Sequence, residues 1–101
     1  MTGSVLIPET DEVLDILRTA LVTLLPPEDL AQVDIAAIGA DTQLLSLPID
    51  SVLLMALMNE IEEVFTVFIP EEQAFAFTTA GDLAEFVRQR LTDKAQRLAA
   101  S

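Results

Sequence analysis

Residues 46–65 of the chain read SLPIDSVLLMALMNEIEEVF. Apolar residues return at helical spacing after Ser51, which predicts an amphipathic helix from Asp50 or Ser51 to about Phe65. On a helical wheel the predicted core face consists of Leu53, Leu54, Leu57, Ile61, Val64 and Phe65, with Met58 at its edge. The opposite side consists of Ser51, Val52, Met55, Ala56, Asn59, Glu60, Glu62 and Glu63. That side begins apolar beside the serine and becomes acidic one or two turns later.

Two further amphipathic helices flank this one. The first is predicted to be capped by Thr10 and to end at Pro26 and Pro27. Its inner face consists of Val13, Leu14, Leu17, Leu21, Leu24 and Leu25. Downstream, residues 70–74 (PEEQA) predict a short helix that begins with proline, and residues 79–82 (TAGD) resemble a capping box. That box opens a last helix whose inner face consists of Leu83, Phe86, Val87 and Leu91.

The long connection between the first two helices, residues 26–49, is too apolar for a flexible linker. We expect it to pack on the core, with a short helical turn near residues 28–38. The side chains expected to pack are those of Ile35, Ile38, Leu44, Leu45 and Leu47. The predicted fold is therefore all-α: a four-helix bundle of three longer helices and one short helix, with a long first loop.

The charge of the chain restricts its partners. It has 17 acidic against 5 basic residues, a net charge of −12, and no basic residue between Arg18 and Arg88. Such a chain repels nucleic acids and anionic membrane surfaces. A protein with a basic patch is the macromolecular partner that the charge favours. The simpler interpretation, that the acids only keep an apolar sequence in solution, stays open.

Most catalytic chemistry is excluded by composition. The chain has no His and no Cys, so a serine nucleophile lacks its commonest base and zinc lacks its commonest ligands. Residues 34–45 resemble a calcium loop only at their first and sixth positions, and no phosphate-binding glycine motif is present. We expect no catalytic residue, no metal and no enzyme activity. The N-terminus lacks the features of a secretory signal and no apolar run could span a bilayer, which predicts a cytoplasmic protein that does not insert into membranes.

Ser51 nevertheless stands at a notable position, the start of a helix. A simple capping role for the Asp50-Ser51 pair is one interpretation. Another is that the helix N-terminus, with its free N–H groups, holds a phosphate that the serine carries. The apolar positions beside Ser51, such as Met55, are either part of the core or an exposed spot that suits protein recognition.

The motif Pro48-Ile49-Asp50-Ser51-Val52 resembles the attachment site of the acyl carrier proteins, which has the form G-x-D-S-L or G-x-D-S-I. The segments TQLLSLPIDS and MNEIEEVFTVFIPEEQAFAFTTAGDLAEFV are similar to the family's sequence before and after that site. The resemblance covers residues 10–92. It divides the chain into a flexible N-terminus (1–9), an acyl-carrier-like domain (10–92), and a helix end with a C-terminal tail (93–101).

The resemblance implies a function for Ser51. A phosphopantetheinyl transferase, using magnesium and coenzyme A, would attach 4′-phosphopantetheine to the Ser51 oxygen and make the chain a phosphoprotein. Acyl groups would then be held as thioesters and delivered to acyl-transferring or acyl-synthesising enzymes with basic patches. The positions that would face such partners are Asp50, Val52, Met55, Ala56, Glu62 and Glu63. The implied protein is a monomeric, non-catalytic carrier in fatty acid biosynthesis, other lipid metabolism or secondary metabolism.

The chain departs from the family pattern at three positions. Pro48 replaces the family glycine, and Leu53 and Ala56 replace family acids. The loss of two acids favours a more apolar partner, so we expect a specialised carrier. Two alternatives stay open: a carrier-like interaction module that is never modified, and an unrelated acidic helical adaptor. The acyl group and the pathway, whether fatty acid, lipid A, polyketide or amino-acyl, are also open.

Overall fold

The computed structural model describes residues 7–100, and within them the regular structure is helical. The α-helices are α1 (Thr10–Leu24), α2 (Pro27–Leu30), α3 (Ser51–Phe65), α4 (Glu71–Ala76) and α5 (Ala80–Ala100). Two 3-10 turns, Ile35–Ala37 and Leu44–Ser46, lie in the first loop. Three long helices and a short α4 confirm the predicted all-α bundle, and α2 with the 3-10 turns supplies the short structure expected in the loop. Of the predicted flexible N-terminus, residues 1–6 lie outside the described residues.

The core lies where α1 packs against α3 and α5. Residues three or four positions apart share one face of a helix, so each long helix presents a continuous apolar stripe. The fully buried large side chains are Val13, Leu17, Leu21, Leu57, Met58, Ile61, Leu83 and Val87. Burial of each stabilises the fold by about 1.5–3 kcal/mol relative to exposure. No helix in the described part of the chain is both long and apolar enough to cross a membrane.

Helix α1 begins one residue earlier than the sequence indicated. Glu9 is its N-cap, with φ −71° and ψ 159°, and its backbone N–H donates to Glu12 Oε1 at 2.9 Å. The predicted cap, Thr10, is instead the first helical residue. The carboxylate of Glu12 reaches back over the first turn, which satisfies the Glu9 N–H and closes the helix before Thr10.

Helix α3 buries a slightly different face from the predicted one. Leu57, Met58 and Ile61 are buried, whereas Val64, predicted for the core, is 51% exposed. Near Val64, the α1 residues Thr19, Ala20 and Thr23 are small, and a shallow cleft remains between the two helices. That cleft is lined by Ile16, Thr19, Ala20, Thr23, Glu60 and Val64.

The first loop packs on the core with one exception. Ile38, Leu44 and Leu47 are buried as predicted, but Leu45 is 92% exposed, so the prediction for Leu45 is wrong. A 3-10 turn has three residues per turn, so Leu44 and Leu47 share the inner face and Leu45 must lie on another. Arg18 of α1 fixes the loop at Ile38, because its Nε donates a hydrogen bond to the Ile38 carbonyl at 3.0 Å.

The same loop is bonded to the start of α5. Three backbone hydrogen bonds join them: Leu44 N–H to Thr78 O (3.0 Å), Ala80 N–H to Thr42 O (2.8 Å) and Gly81 N–H to Ala40 O (2.9 Å). Gln43 and Thr79 form an isolated antiparallel bridge between these bonds. The predicted capping box is confirmed, since the Asp82 N–H donates to Thr79 Oγ1 and the Thr79 N–H donates to Asp82 Oδ2, both at 3.1 Å. The loop that leads to Ser51 is therefore fixed at several points.

Candidate functional site

Ser51 is the exposed first residue of α3, and the capping role there belongs to Asp50. Asp50 has extended backbone angles, φ −98° and ψ −175°, and its Oδ1 accepts a hydrogen bond from the Leu53 N–H at 2.8 Å. Its carbonyl oxygen accepts from the Leu54 N–H at 2.9 Å, which begins the helical ladder. Asp50 is thus an aspartate N-cap of the ordinary kind. Ser51 is left without a capping role.

The hydroxyl of Ser51 makes no hydrogen bond within residues 7–100, which distinguishes it from the other serine there. Ser46 Oγ donates to the Gln43 carbonyl at 2.6 Å, inside its own 3-10 turn. A hydroxyl that is already bonded to the backbone loses that bond when it is modified. Of the two, Ser51 is the serine whose oxygen is both exposed and uncommitted.

An apolar cleft of about 260 Å³ opens beside Ser51, between the first loop, α3 and α4. Its lining consists of Leu44, Leu45, Ile49, Asp50, Ser51, Leu54, Ala74, Phe75 and Phe77. Asp50 is its one charged residue, and Phe77 is anchored by an edge-to-face contact with Phe86, with ring centroids 5.5 Å apart. A largely apolar cleft next to a free hydroxyl suits an apolar group tethered at that hydroxyl.

Exposed apolar side chains from three elements surround the serine. Leu45 of the loop is 92% exposed, Val52 of α3 is 76% exposed and Phe75 of α4 is 51% exposed. Val52 was predicted to lie on the surface, whereas Leu45 and Phe75 were not. For Phe75 a signal was present, because Ala74 and Phe77 lie three apart and share the inner face of α4, which leaves Phe75 outside. These three residues, Leu45, Val52 and Phe75, form an apolar rim, and exposed apolar groups of this kind are common at protein recognition sites.

The other predicted partner-facing residues are distributed along α3. Met55 and Ala56 are half-buried, with Met55 packed against the core, and Glu63 is exposed. Glu62 is half-buried, and its Oε2 accepts a hydrogen bond from the Ile69 N–H at 2.7 Å. At 1.5 Å rise per residue the two glutamates lie roughly 17 Å along the helix from Ser51. The structure therefore gathers Asp50 and Val52 at the serine and leaves the glutamates three turns away.

The described residues contain no group of three or more carboxylate, His or Cys side chains that could hold a metal ion. The site itself consists of one hydroxyl, one capping carboxylate and apolar surface. The one carboxylate that lines the cleft is that of Asp50, and its Oδ1 is engaged by the Leu53 N–H.

A family model described as the phosphopantetheine attachment site matches residues 13–87, well over half of the chain. The chain therefore belongs to the phosphopantetheine-attachment family of carrier domains, and the resemblance noted in the sequence is confirmed. It is a non-catalytic carrier, and its prosthetic group is 4′-phosphopantetheine, attached by a phosphopantetheinyl transferase.

Among characterised proteins the chain is similar to non-reducing polyketide synthase AC of Didymella fabae, with 32% identity over 62 residues. The aligned part is 61% of this chain but only 2% of that synthase. The chain thus spans a very small part of the relative, and the similarity concerns a segment of it alone. No solved structure matches the chain.

Proposed function

We propose that Ser51 is the attachment residue and that the chain carries acyl intermediates on a 4′-phosphopantetheine arm. The observation that carries this proposal is the exposed, uncommitted Ser51 hydroxyl at the start of α3, with Asp50 as the separate cap beside it. The function is transport of thioester-bound acyl groups between partner enzymes.

The first turn of α3 fits a phosphodiester at Ser51. Asp50 engages the N–H of Leu53, so the N–H groups of Ser51 and Val52 stay available to phosphate oxygens. The positive end of the helix dipole favours the same negative charge. In the transfer, a base of the transferase would take the proton of the Ser51 hydroxyl, Ser51 Oγ would bond to the phosphorus on the pantetheine side of coenzyme A, and the P–O bond to the nucleotide would break to release adenosine 3′,5′-bisphosphate. When attached, the group supplies the thiol that this Cys-free chain lacks.

The cleft beside Ser51 gives an acyl chain a place out of water. Leu54 of α3 and Phe77 at the end of α4 form its walls, and both belong to the packed interior or its edge. Each methylene that leaves water there gains about 0.8 kcal/mol. The residues of this chain would thus bind and shield the cargo, while the reactions belong to the partners.

The proposed partner surface combines the apolar rim with part of the predicted partner face. Asp50, Val52 and Glu63 are exposed and free to contact a partner. Met55 and Ala56 contribute the part of each side chain that is exposed. Glu62 contributes a carboxylate whose Oε2 also accepts a hydrogen bond from the Ile69 N–H. Because Leu53 and Ala56 stand where the acyl carrier pattern that the sequence resembles has acids, we propose a partner with an apolar docking surface flanked by basic residues. The carrier is proposed to act as a monomer.

The proposed pathway is a specialised lipid or secondary-metabolite pathway. Similarity to a segment of a polyketide synthase supports the secondary-metabolite side of that range. A role in fatty acid biosynthesis and a cytoplasmic location stay predictions from the sequence.

The test is intact-protein mass spectrometry after incubation with coenzyme A, magnesium and a broad-specificity phosphopantetheinyl transferase. We expect the mass to rise by one phosphopantetheine, and we expect Ser51→Ala to abolish the gain. Ser46→Ala is the matched control, because it removes the other described serine of the family segment and should be modified normally. A gain that survives Ser51→Ala and disappears in Ser46→Ala would move the attachment site. No gain with several transferases would favour the unmodified interaction module.

A further inference from the structure

Three of the five basic residues lie on one face of α5, at the end of the bundle remote from Ser51. Arg90, Lys94 and Arg97 are spaced by four and three residues, which places them within about 60° of each other around the helix. They face the segment that follows α3. Together they form a local positive surface on a chain of net charge −12.

A cleft of about 310 Å³ separates this face from the α3–α4 connection. It is lined by Thr66, Val67, Phe68, Arg90, Lys94 and Arg97. Phe68 is 71% exposed, one of the most exposed large apolar side chains in the described part of the molecule. The cleft is therefore an apolar group bordered by three cations, and we call these six residues the basic cleft.

The cations of the basic cleft are not used inside the fold. Arg18 pairs with Asp15 and Arg88 with Glu85, but within residues 7–100 no carboxylate lies within ion-pair distance of Arg90, Lys94 or Arg97. This is unexpected in a chain with 17 acidic residues.

Nearby carboxylates have other partners. Asp93 accepts a hydrogen bond from Gln89 Nε2 at 3.0 Å, and Glu62 accepts from the Ile69 N–H. The helix dipole does not explain the cluster either. Its influence is confined to the last turn, which contains Arg97 but neither Arg90 nor Lys94. The cations are thus left available to a group outside the chain.

One of the cations is held in place. The guanidinium of Arg90 lies over the ring of Phe86, 4.9 Å from its centroid. Such stacking fixes the direction of an arginine side chain and leaves its N–H groups free to bond outward. The basic cleft is therefore partly preorganised.

We propose that the basic cleft is a second docking surface, which binds an acidic segment of a partner protein that places an apolar side chain against Phe68. The charge of the cleft selects an acidic occupant, and Phe68 selects one with an apolar anchor. Nucleic acids and anionic membranes also carry negative charge, but they extend over the whole acidic surface of the chain and are repelled there. A short acidic segment contacts only the cleft, because charges beyond about 8–10 Å are screened at physiological salt.

This surface is distinct from the one proposed at Ser51. The two lie at opposite ends of α3, whose 15 residues span roughly 22 Å. A carrier could then hold one partner at the basic cleft while Ser51 stays accessible to another. The proposal does not depend on modification of Ser51.

The test is a titration of the ¹⁵N-labelled chain with a synthetic peptide of alternating glutamate and leucine, followed by NMR. A peptide with glutamine in place of glutamate is the uncharged probe, and phosphatidylglycerol vesicles are the lipid probe. We expect the acidic peptide to shift the amide signals of Val67, Phe68 and Lys94, and to do so equally in Ser51→Ala. The glutamine peptide and the vesicles are expected to leave them unchanged.

Two matched double variants separate the local patch from the net charge. Lys94→Gln with Arg97→Gln and Gln96→Glu with Ala99→Glu lower the net charge by the same amount, but Gln96 and Ala99 lie on other faces of the same exposed helix end. We expect the first pair to weaken peptide binding about fivefold, since each exposed charge pair contributes modestly. The second pair should change it by less than about twofold. Phe68→Ala should weaken binding, and Val22→Ala, at another exposed apolar residue, should not.

Several outcomes would overturn the proposal. Equal weakening by both double variants would show a net-charge effect, and binding of vesicles without binding of the peptide would show a lipid surface. Concentration-dependent shifts of the same amides without peptide would show that a second copy of the chain is the occupant. Absence of any shift at the basic cleft would remove it as a docking surface.

Discussion

Asp50 Oδ1 accepts a hydrogen bond from the Leu53 backbone N–H at 2.8 Å, and this contact gives the capping role at the start of α3 to Asp50 and not to Ser51. An Asp-Ser pair at a helix start offers two side chains for one cap. The structure gives the cap to Asp50, so the oxygen of Ser51 can be modified without loss of a helix-stabilising bond. Modification of the Ser51 oxygen would therefore leave the capping hydrogen bond of Asp50 in place.

The first prediction concerns this cap. Asp50→Ala should lower the free energy of unfolding by about 1 kcal/mol, because the N–H of Leu53 loses its acceptor. Asp50→Asn should lose much less, since asparagine caps about as well as aspartate. Urea denaturation measures both. Equal losses in the two variants would show that the charge of Asp50, and not its hydrogen bond, stabilises α3.

A second prediction separates the neighbouring glutamates of α3. Glu62→Ala should destabilise the fold by about 1–2 kcal/mol, because the partly buried Ile69 N–H loses a charged acceptor at 2.7 Å. Glu63→Ala is the matched control and should change stability by less than about 0.5 kcal/mol, as at other exposed positions. Thermal unfolding of the two variants checks this. A larger loss for Glu63→Ala would contradict the assignment.

Much of the architecture follows from the sequence because the three long helices carry strong periodic patterns and clear ends. Pro26 ends α1, Asp50 begins α3 and the Thr79–Asp82 box opens α5 in agreement with expectation. Leu45 and Val64 were assigned wrongly because hydrophobicity alone does not say which apolar residues in a loop or at a helix end find a partner. Their exposure depends on the packing of distant segments.

A third prediction tests the contact between the loop and α5. A Cβ at Gly81 would lie 2.8 Å from the Ala40 carbonyl oxygen, so one backbone segment must move. Gly81→Ala should therefore destabilise the fold by about 1–2 kcal/mol, even though alanine favours helices. Gly39→Ala, where nothing lies within 4 Å, should be neutral or stabilising by up to about 1 kcal/mol. Chemical denaturation of the pair gives the answer, and a stable Gly81→Ala would contradict the close approach.

The fourth prediction concerns acid. Hydrogen bonds from the backbone N–H groups of Thr79 and Thr78 lower the pKa of Asp82 below its ordinary value. The stabilisation from this carboxylate is therefore complete above the ordinary aspartate pKa of about 4 and is lost as the pH falls through the lowered pKa. Asp82→Asn should be less stable than the parent chain at pH 7, and the difference should shrink at pH 3. Urea midpoints at the two pH values test this, and an unchanged difference would contradict it.

The candidate site was predictable in part. Ser51, Asp50 and Val52 could be located from the helix start and the motif. The second role of Glu62, its bond to Ile69, could not be predicted, because it depends on how the chain turns back after α3. Thr66 makes that turn in a left-handed conformation, φ 54°, which is uncommon for a β-branched residue. The local sequence contains no feature that predicts this left-handed conformation at Thr66.

The bridge between Gln43 and Thr79 makes two segments far apart in sequence behave as a miniature two-stranded ribbon in an otherwise helical protein. The amide protons of Leu44, Ala80 and Gly81 are all held across it. Amides that exchange with solvent through the same opening event show one common free energy of opening. We therefore expect the two segments to open together as a single cooperative unit.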